Sequence, residues 1–548
     1  MKHISPVRLI IACLITLLLF SCSSSKQFTA PLRPPSDMEN IAEPAEQKII
    51  PAAESFDKVF SLQIEEGLSL SRAGRRLFNK PKEAFNVDAF DEVFNSSWFT
   101  NRHHLSSATE DDFARGPDRG TGPDTEAAWT IISAKSQGVT PGFAIRDSRG
   151  DGYLIKFDPK GFREIASGAE VVSTTLFHAM GYFVPENYIV VFHPKILKLG
   201  EGVKFTDEKG EKRLMLESDL DKLFEKVDFL PDGRIRALAS KWLPGKPLGP
   251  FKYKGVRKDD PNDFIPHQHR RELRGLRLFS AWLNHFDTKD GNSLDMFIEE
   301  DGRSFVRHNL IDFGATLGSA SWGPNHIWRG HENDFDPNRM MFNFVTLGFY
   351  VHPWENKDKT RYPAVGVFDA ETFEPEDYKP QIPNPAFENM TARDAFWAAR
   401  IIMSFTNEQL RLAVQKGQYS DPQAEAYILQ TLIQRRDKVG RYAFNRLSPL
   451  DQFQLEQTAD GATALAFRDI AAETGLMDSP EYQVSIMGKK LVDQTERRVL
   501  LSDVSAVAGE QYEVSISAKK TDGGWNKAVS VYLEADDQNN WTLIGIRR

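Results

Sequence analysis

The chain has 548 residues, 41% of them hydrophobic and 26% charged, a composition that suits a globular protein and excludes collagen-like, low-complexity or polytopic membrane architectures. Its 68 basic and 77 acidic residues leave a formal charge of −9, evenly spread, which argues against a nucleic-acid partner. The two cysteines, Cys13 and Cys22, exclude a disulfide framework or a cysteine-ligated metal, and the length calls for two or more folding units.

At the start of the chain Lys2 and Arg8 precede an apolar run over residues 9–20, too short for a comfortable membrane span and suited to an export signal. Leu19-Phe20-Ser21-Cys22 closes it and resembles a bacterial lipobox. The resemblance implies a signal peptide over 1–21 and a membrane attachment through acyl chains on Cys22. Ser23, rather than Asp, then favours, in a host with two membranes, an outer-membrane lipoprotein of the cell envelope, facing the periplasm or the surface. Residues 22–54, with Pro31, Pro34, Pro35, Pro44 and Pro51, read as a tether. Residues 55–128 read as a helical extension, with Leu68, Leu70, Leu77, Phe85 and Phe90 set among charges.

From Trp129 the pattern becomes strand-like, through Gly138 and Gly142 to a turn at Ser148-Arg-Gly-Asp-Gly152 and a strand ending in Lys156-Phe157. Lys156 is a cation in an apolar strand, where it needs a partner. Ile165, Ala169, Val172, Leu176 and Met180 predict a helix stopped by Gly181, with Glu170 about 100° around from Ala169. Glycines, strand lysine and helix glutamate in this order are what a nucleotide-phosphate clamp uses. Taken alone, Lys156 reads as a snorkelling edge lysine and Glu170 as a solvated carboxylate. An apolar strand then meets Pro244-Gly245, a candidate hinge, and residues 271–283 predict a buried helix. A polar loop follows it, then a hairpin signalled by Asp301-Gly302.

The loop reads His285-Phe286-Asp287, with Lys289 two and Asn292 five residues past the aspartate, and the hairpin ends in Asp312-Phe313-Gly314. These motifs are similar to the protein-kinase catalytic loop and D-F-G, with spacing shared by the HipA-like and phosphatidylinositol 3/4-kinase-like branches. The resemblance covers about 129–445 and implies an α+β, bilobal kinase-like fold, with an N-lobe over 129–245 and a C-lobe over 246–445. Phe286 stands where the family has arginine, the glycine loop is thin, and no A-P-E follows. An atypical member fits better than a eukaryotic-type protein kinase.

By chemistry alone, Asp287 can orient a hydroxyl or accept its proton and Lys289 can meet developing negative charge. Asn292 and Asp312 offer the hard oxygens that Mg²⁺ or Mn²⁺ prefers. Gly138, Gly142, Lys156 and Glu170 would then hold the nucleotide, ATP being the expected phosphoryl donor. His103/His104, His267/His269 and His326/His331 are expected to be loop or surface histidines, because no carboxylate pattern accompanies them. Two further helices, after Thr391 and Asp421, would complete the C-lobe. Residues 446–548 turn to short alternating segments and predict a β-rich accessory domain. Two functions fit: an exported Mg-dependent phosphotransferase acting on a hydroxyl of a protein, glycan or small molecule, or a catalytically silent kinase-like module that binds or scaffolds in the envelope.

Overall fold

Short alternating segments rich in Ile, Phe and Tyr build the first sheet. It contains β1 (Trp129–Ala134), β2 (Gly142–Arg146), β3 (Gly152–Lys156), β4 (Asn187–Phe192), β5 (Leu197–Leu199) and β6 (Ile235–Lys241). Their order is β4-β6-β3-β2-β1-β5, antiparallel except where β1 runs parallel to β5. The computed structural model describes residues 27–48, 81–105, 109–134, 142–206, 211–320, 322–356 and 360–548, the last span except 460, 478–479, 492, 503, 505–506, 521 and 539. The export signal, Cys22 and Gly138 therefore lie outside the described residues, as do residues 55–80 of the expected helical extension.

Between β3 and β4 runs helix α1 (Ile165–Met180), buried on nearly every side. Asp158 receives the backbone N–H groups of Ala166 and Ser167 at 2.9 and 2.8 Å, capping its first turn from a distance in sequence. Gly181, at φ 118°, ends it by donating to the carbonyls of His178 and Phe177. The short strand β7 (Lys246–Gly249) joins a second sheet in the order β9-β8-β7, where β8 is Ser293–Glu300 and β9 Arg303–Leu310. Asp301 and Gly302, both at positive φ, make the two-residue turn between β8 and β9.

Helix α2 (Arg271–Leu283) packs against α4 (Ala392–Met403), with α3 (Pro337–Val345) lying between them in sequence and α5 (Asn407–Gln415) and α6 (Pro422–Phe444) following. Beyond its apolar face, α2 buries Arg271 and Arg274, which hold the two oxygens of Asp394 at 3.1 and 3.2 Å. Both charges are tolerable there only because they are paired. One large core joins α1, α2, α4 and α6, and a separate one fills the first sheet around Trp129, Phe143, Phe157 and Phe192. A third lies between two sheets at the end of the chain. These are β10-β11-β14 and β13-β12-β15-β16-β17, formed by β10 (Leu450–Gln457), β11 (Thr463–Asp469), β12 (Tyr482–Ile486), β13 (Lys489–Lys490), β14 (Arg498–Leu500), β15 (Gln511–Ala518), β16 (Val529–Ala535) and β17 (Trp541–Arg547).

Three expectations are corrected. Within the supposed tether, residues 27–48 lie along the fold: Phe28 stacks on Tyr532 at 4.6 Å, Asp37 takes the N–H and hydroxyl of Ser97 at 3.0 Å, and Gln47 donates to Leu248. Residues 81–105 are not helical; they form isolated bridges and plug cores with Trp98 and Phe99, while Asp91 pairs with Arg271 and Arg393 at 2.6 Å each. His103, His267 and His269 are buried rather than superficial, His267 bonding Asp263 at 2.6 Å.

Candidate functional site

Lys156 ends β3 directly opposite Gly142 of β2. Its ammonium reaches Glu170 Oε1 and Oε2 at 2.7 and 3.0 Å and Asp312 Oδ1 at 2.9 Å. Glu170 projects from the middle of α1 and is buried, so the helix whose stripe the sequence predicts also carries the counter-ion of the strand lysine. Burial opposes the Lys156 charge, but Asp312 and Glu170 together outweigh it and raise its pKa above the usual lysine value.

Asp312 follows β9 at φ 64°, a left-handed turn that costs energy for a non-glycine residue and turns the chain sharply at the sheet's end. Its side chain is 51% exposed, in contrast to Phe313, which is fully buried and stacks on Phe177 of α1 at 4.7 Å. His285 sits edge-on to Phe177 and tilted against Phe313, and burial pushes its pKa below the usual histidine value. The three rings tie α1, the loop after α2 and the Asp312 turn into one piece. Thr316 adds a hydroxyl contact with Ser173 at 2.7 Å.

Asp287 and Asp312 line the same cleft, together with Lys156, Glu170, Leu238 and Ala315. Lys289 Nζ stands 2.8 Å from Asp287 Oδ1, and the Asn292 amide donates to the Asp287 carbonyl and Oδ2 at 2.8 and 3.0 Å. Asn292 thus fixes the rotamer of Asp287. Of the sequence-named residues, Lys156, Glu170, Asp287 and Asp312 line one cleft, and Lys289 and Asn292 are bonded to Asp287. Gly142 stays at the strand opposite Lys156. The sequence reading missed the Phe177–His285–Phe313 stack. It also missed Arg329, whose guanidinium lies over the Phe286 ring at 5.0 Å, and Tyr378, whose hydroxyl donates to the His285 carbonyl at 2.5 Å. Phe177 follows Leu176 on a helix buried all round, which was the only local signal.

No family model matches the chain, and no curated protein matches it. Among solved structures it is similar to the Helicobacter pylori proinflammatory kinase CtkA, at 11% identity and TM-score 0.32 over 59% of this chain and 98% of that one. It is also similar to the Golgi casein kinase with Mn/ADP bound, at 11% identity and TM-score 0.27 over 61% and 74%. For hydra Fam20 with sugar the values are 11% and 0.29 over 58% and 87%.

Proposed function

We propose that this protein is an exported phosphotransferase with a bilobal, atypical kinase-like fold, moving the terminal phosphoryl group of ATP onto a hydroxyl of a protein, glycan or small molecule. The single observation that carries this reading is the ammonium of Lys156 held by both oxygens of Glu170, at 2.7 and 3.0 Å, in a cleft that Asp287 and Asp312 share. A cation held by a helix carboxylate beside a half-exposed aspartate is the arrangement that grips nucleotide phosphates. Asp287, oriented by Asn292 and flanked by Lys289, would position the accepting hydroxyl and take its proton. Lys289 would offset charge on the transferred group.

The donor set fits Mg²⁺ or Mn²⁺: Asp312 contributes a carboxylate and Asn292 an amide oxygen, both hard ligands. Among the described residues no group of three or more His, Cys, Asp or Glu could hold a metal alone, so phosphate oxygens would complete the shell. When bound, the ion supplies charge neutralisation between the phosphates. Asp287→Ala should keep nucleotide binding and lose turnover, read as labelled phosphate incorporated into an envelope extract. A folded wild type that neither binds nor transfers with Mg²⁺ or Mn²⁺ would remove the enzymatic reading. One feature favours the silent alternative: the direct Lys156–Asp312 bond closes the clamp on itself. Tight binding without transfer to any extract would select it.

The localisation we propose is a cell-envelope lipoprotein anchored at Cys22, supported by the lipobox-like Leu19-Phe20-Ser21-Cys22. Cys22→Ala should abolish acylation and mislocalise the protein. Mass spectrometry finding an unmodified Cys22 in the mature chain would end that proposal.

A further inference from the structure

The chain between the Asp312 turn and α4 carries an apolar projection whose side chains stand largely exposed. In α3 and the turn after it, Phe344, Val345, Leu347 and Phe349 are 76%, 71%, 77% and 86% exposed. Met340, Met341 and Phe342 are exposed as well. Residues 340–351 contain no charged side chain. Isolated exposed apolar residues need no explanation, but a contiguous run of this length does.

We infer that residues 340–351 insert into the surface of a lipid bilayer. Successive helix positions step by about 100°, so Met340, Met341, Phe342, Phe344 and Val345 spread over about 200° of α3, with Arg339 and Asn343 on the remaining side. A helix with so broad an apolar face and a polar back is the kind that beds its apolar face in a bilayer surface.

Backbone N–H groups that leave water need internal acceptors, and four at the apex have them. At the apex Thr346 N–H donates to the Phe342 carbonyl, Leu347 to Phe344, Gly348 to Asn343 and Phe349 to Thr346, at 2.9 to 3.3 Å. Leu347 and Gly348, at φ 51° and 75°, make the left-handed turn that permits this closure. The Thr346 hydroxyl also bonds the Phe342 carbonyl, at 2.9 Å.

At the base of the projection charge resumes at Arg339, which is paired with Glu332 and Glu355 at 2.8 and 2.5 Å. Beside it runs a column of amphipathic rings: Tyr350 against His352, His352 on Trp354, and Trp354 on His331, with centroids 4.8 to 5.4 Å apart. Rings with an apolar body and a polar edge collect at the depth of lipid headgroups. Nine residues of α3 rise about 13 Å, enough to bury an apolar tip about 5–10 Å below that level. The inference stands apart from phosphoryl transfer, because it uses none of the cleft residues.

The test places a thiol-linked fluorophore at Phe349→Cys or, as control, at Lys490→Cys in the full-length protein, using the parent chain for background. Each is reconstituted in phosphatidylethanolamine–phosphatidylglycerol vesicles whose acyl chains carry bromine at mid-depth. The label at position 349 should lose about half of its emission or more, and the label at position 490 little. Equal quenching at the two positions, or none at 349, overturns the inference. Absence of quenching together with cross-linking of two Phe349→Cys chains assigns the projection to a second copy instead, and overturns it too.

Discussion

Replacing Asp312 by asparagine should change nucleotide affinity in opposite directions with and without a divalent metal. An ammonium has three donors, and Lys156 spends them on the two oxygens of Glu170 and on Asp312 Oδ1 at 2.9 Å. A phosphate oxygen that approaches Lys156 must displace one of these contacts. Glu170 is buried and holds two of them, so the half-exposed Asp312 is the cheaper to release. In water-like surroundings a unit charge pair at this distance is worth about 1.4 kcal/mol, and solvent-exposed pairs fall to about 1 kcal/mol or less. Releasing about 1 kcal/mol corresponds to roughly fivefold in affinity. The lost carboxylate also stops repelling the phosphates directly. Asp312→Asn should therefore bind ADP about fivefold more tightly in EDTA, yet gain nothing from Mg²⁺ or Mn²⁺. Calorimetric titration of wild type and variant with ADP, in EDTA and in metal, reads both effects. A variant that binds more weakly in EDTA, or that keeps the full metal enhancement, would refute the reasoning.

Two further predictions concern stability. Burial depresses the pKa of His103, His104 and His285, and burial together with Arg102 and Lys416 holds His178 down to about 3. The unfolded chain takes up protons at these sites below about pH 6.5 and the folded chain does not, so stability is complete above that pH and falls as the pH drops. Each histidine contributes up to about 1.4 kcal/mol per pH unit until its folded pKa is reached, and a melting temperature that stays flat from pH 7 to 5 would contradict this. Gly366→Ala should cost about 3 kcal/mol or more in urea unfolding, because a Cβ there would stand 1.5 Å from the Gly318 carbonyl oxygen, in a crossing just beyond the cleft residue Ala315. Unchanged urea stability would show that the two backbones separate at no cost.

What could be read in advance was what local chemistry dictates. The stripe from Ile165 to Met180 and its Gly181 stop, the Asp301-Gly302 turn, and the Thr391 cap all agree with the structure, since each is decided within a few neighbouring residues. Lys156 stood out as a cation in an apolar strand, whereas Glu170 was marked by its order after that lysine and Asp287 and Asp312 by the spacing of motifs that resemble the kinase catalytic loop and D-F-G. Residues 27–48 and 81–105 were misread because their order comes from remote partners: Phe28 on Tyr532, Asp37 on Ser97, Asp91 on Arg271. Nothing periodic marks such contacts. The buried histidines escaped for the same reason, as the surfaces that cover them come from far along the chain.

The docking of Phe28 on the last sheet sets the length of any leash. With Cys22 acylated as proposed, five residues separate the anchored cysteine from Phe28, whose ring stacks on Tyr532 and whose N–H bonds Gln511 at 2.6 Å. Six residue steps span at most about 20 Å even when fully extended. The protein would not sweep a wide hemisphere of the envelope; it would ride close to its own membrane, β16 side held near the lipid. Acceptors embedded in or bound to that same membrane would meet the cleft at high local concentration, while freely diffusing ones would gain nothing from the anchor.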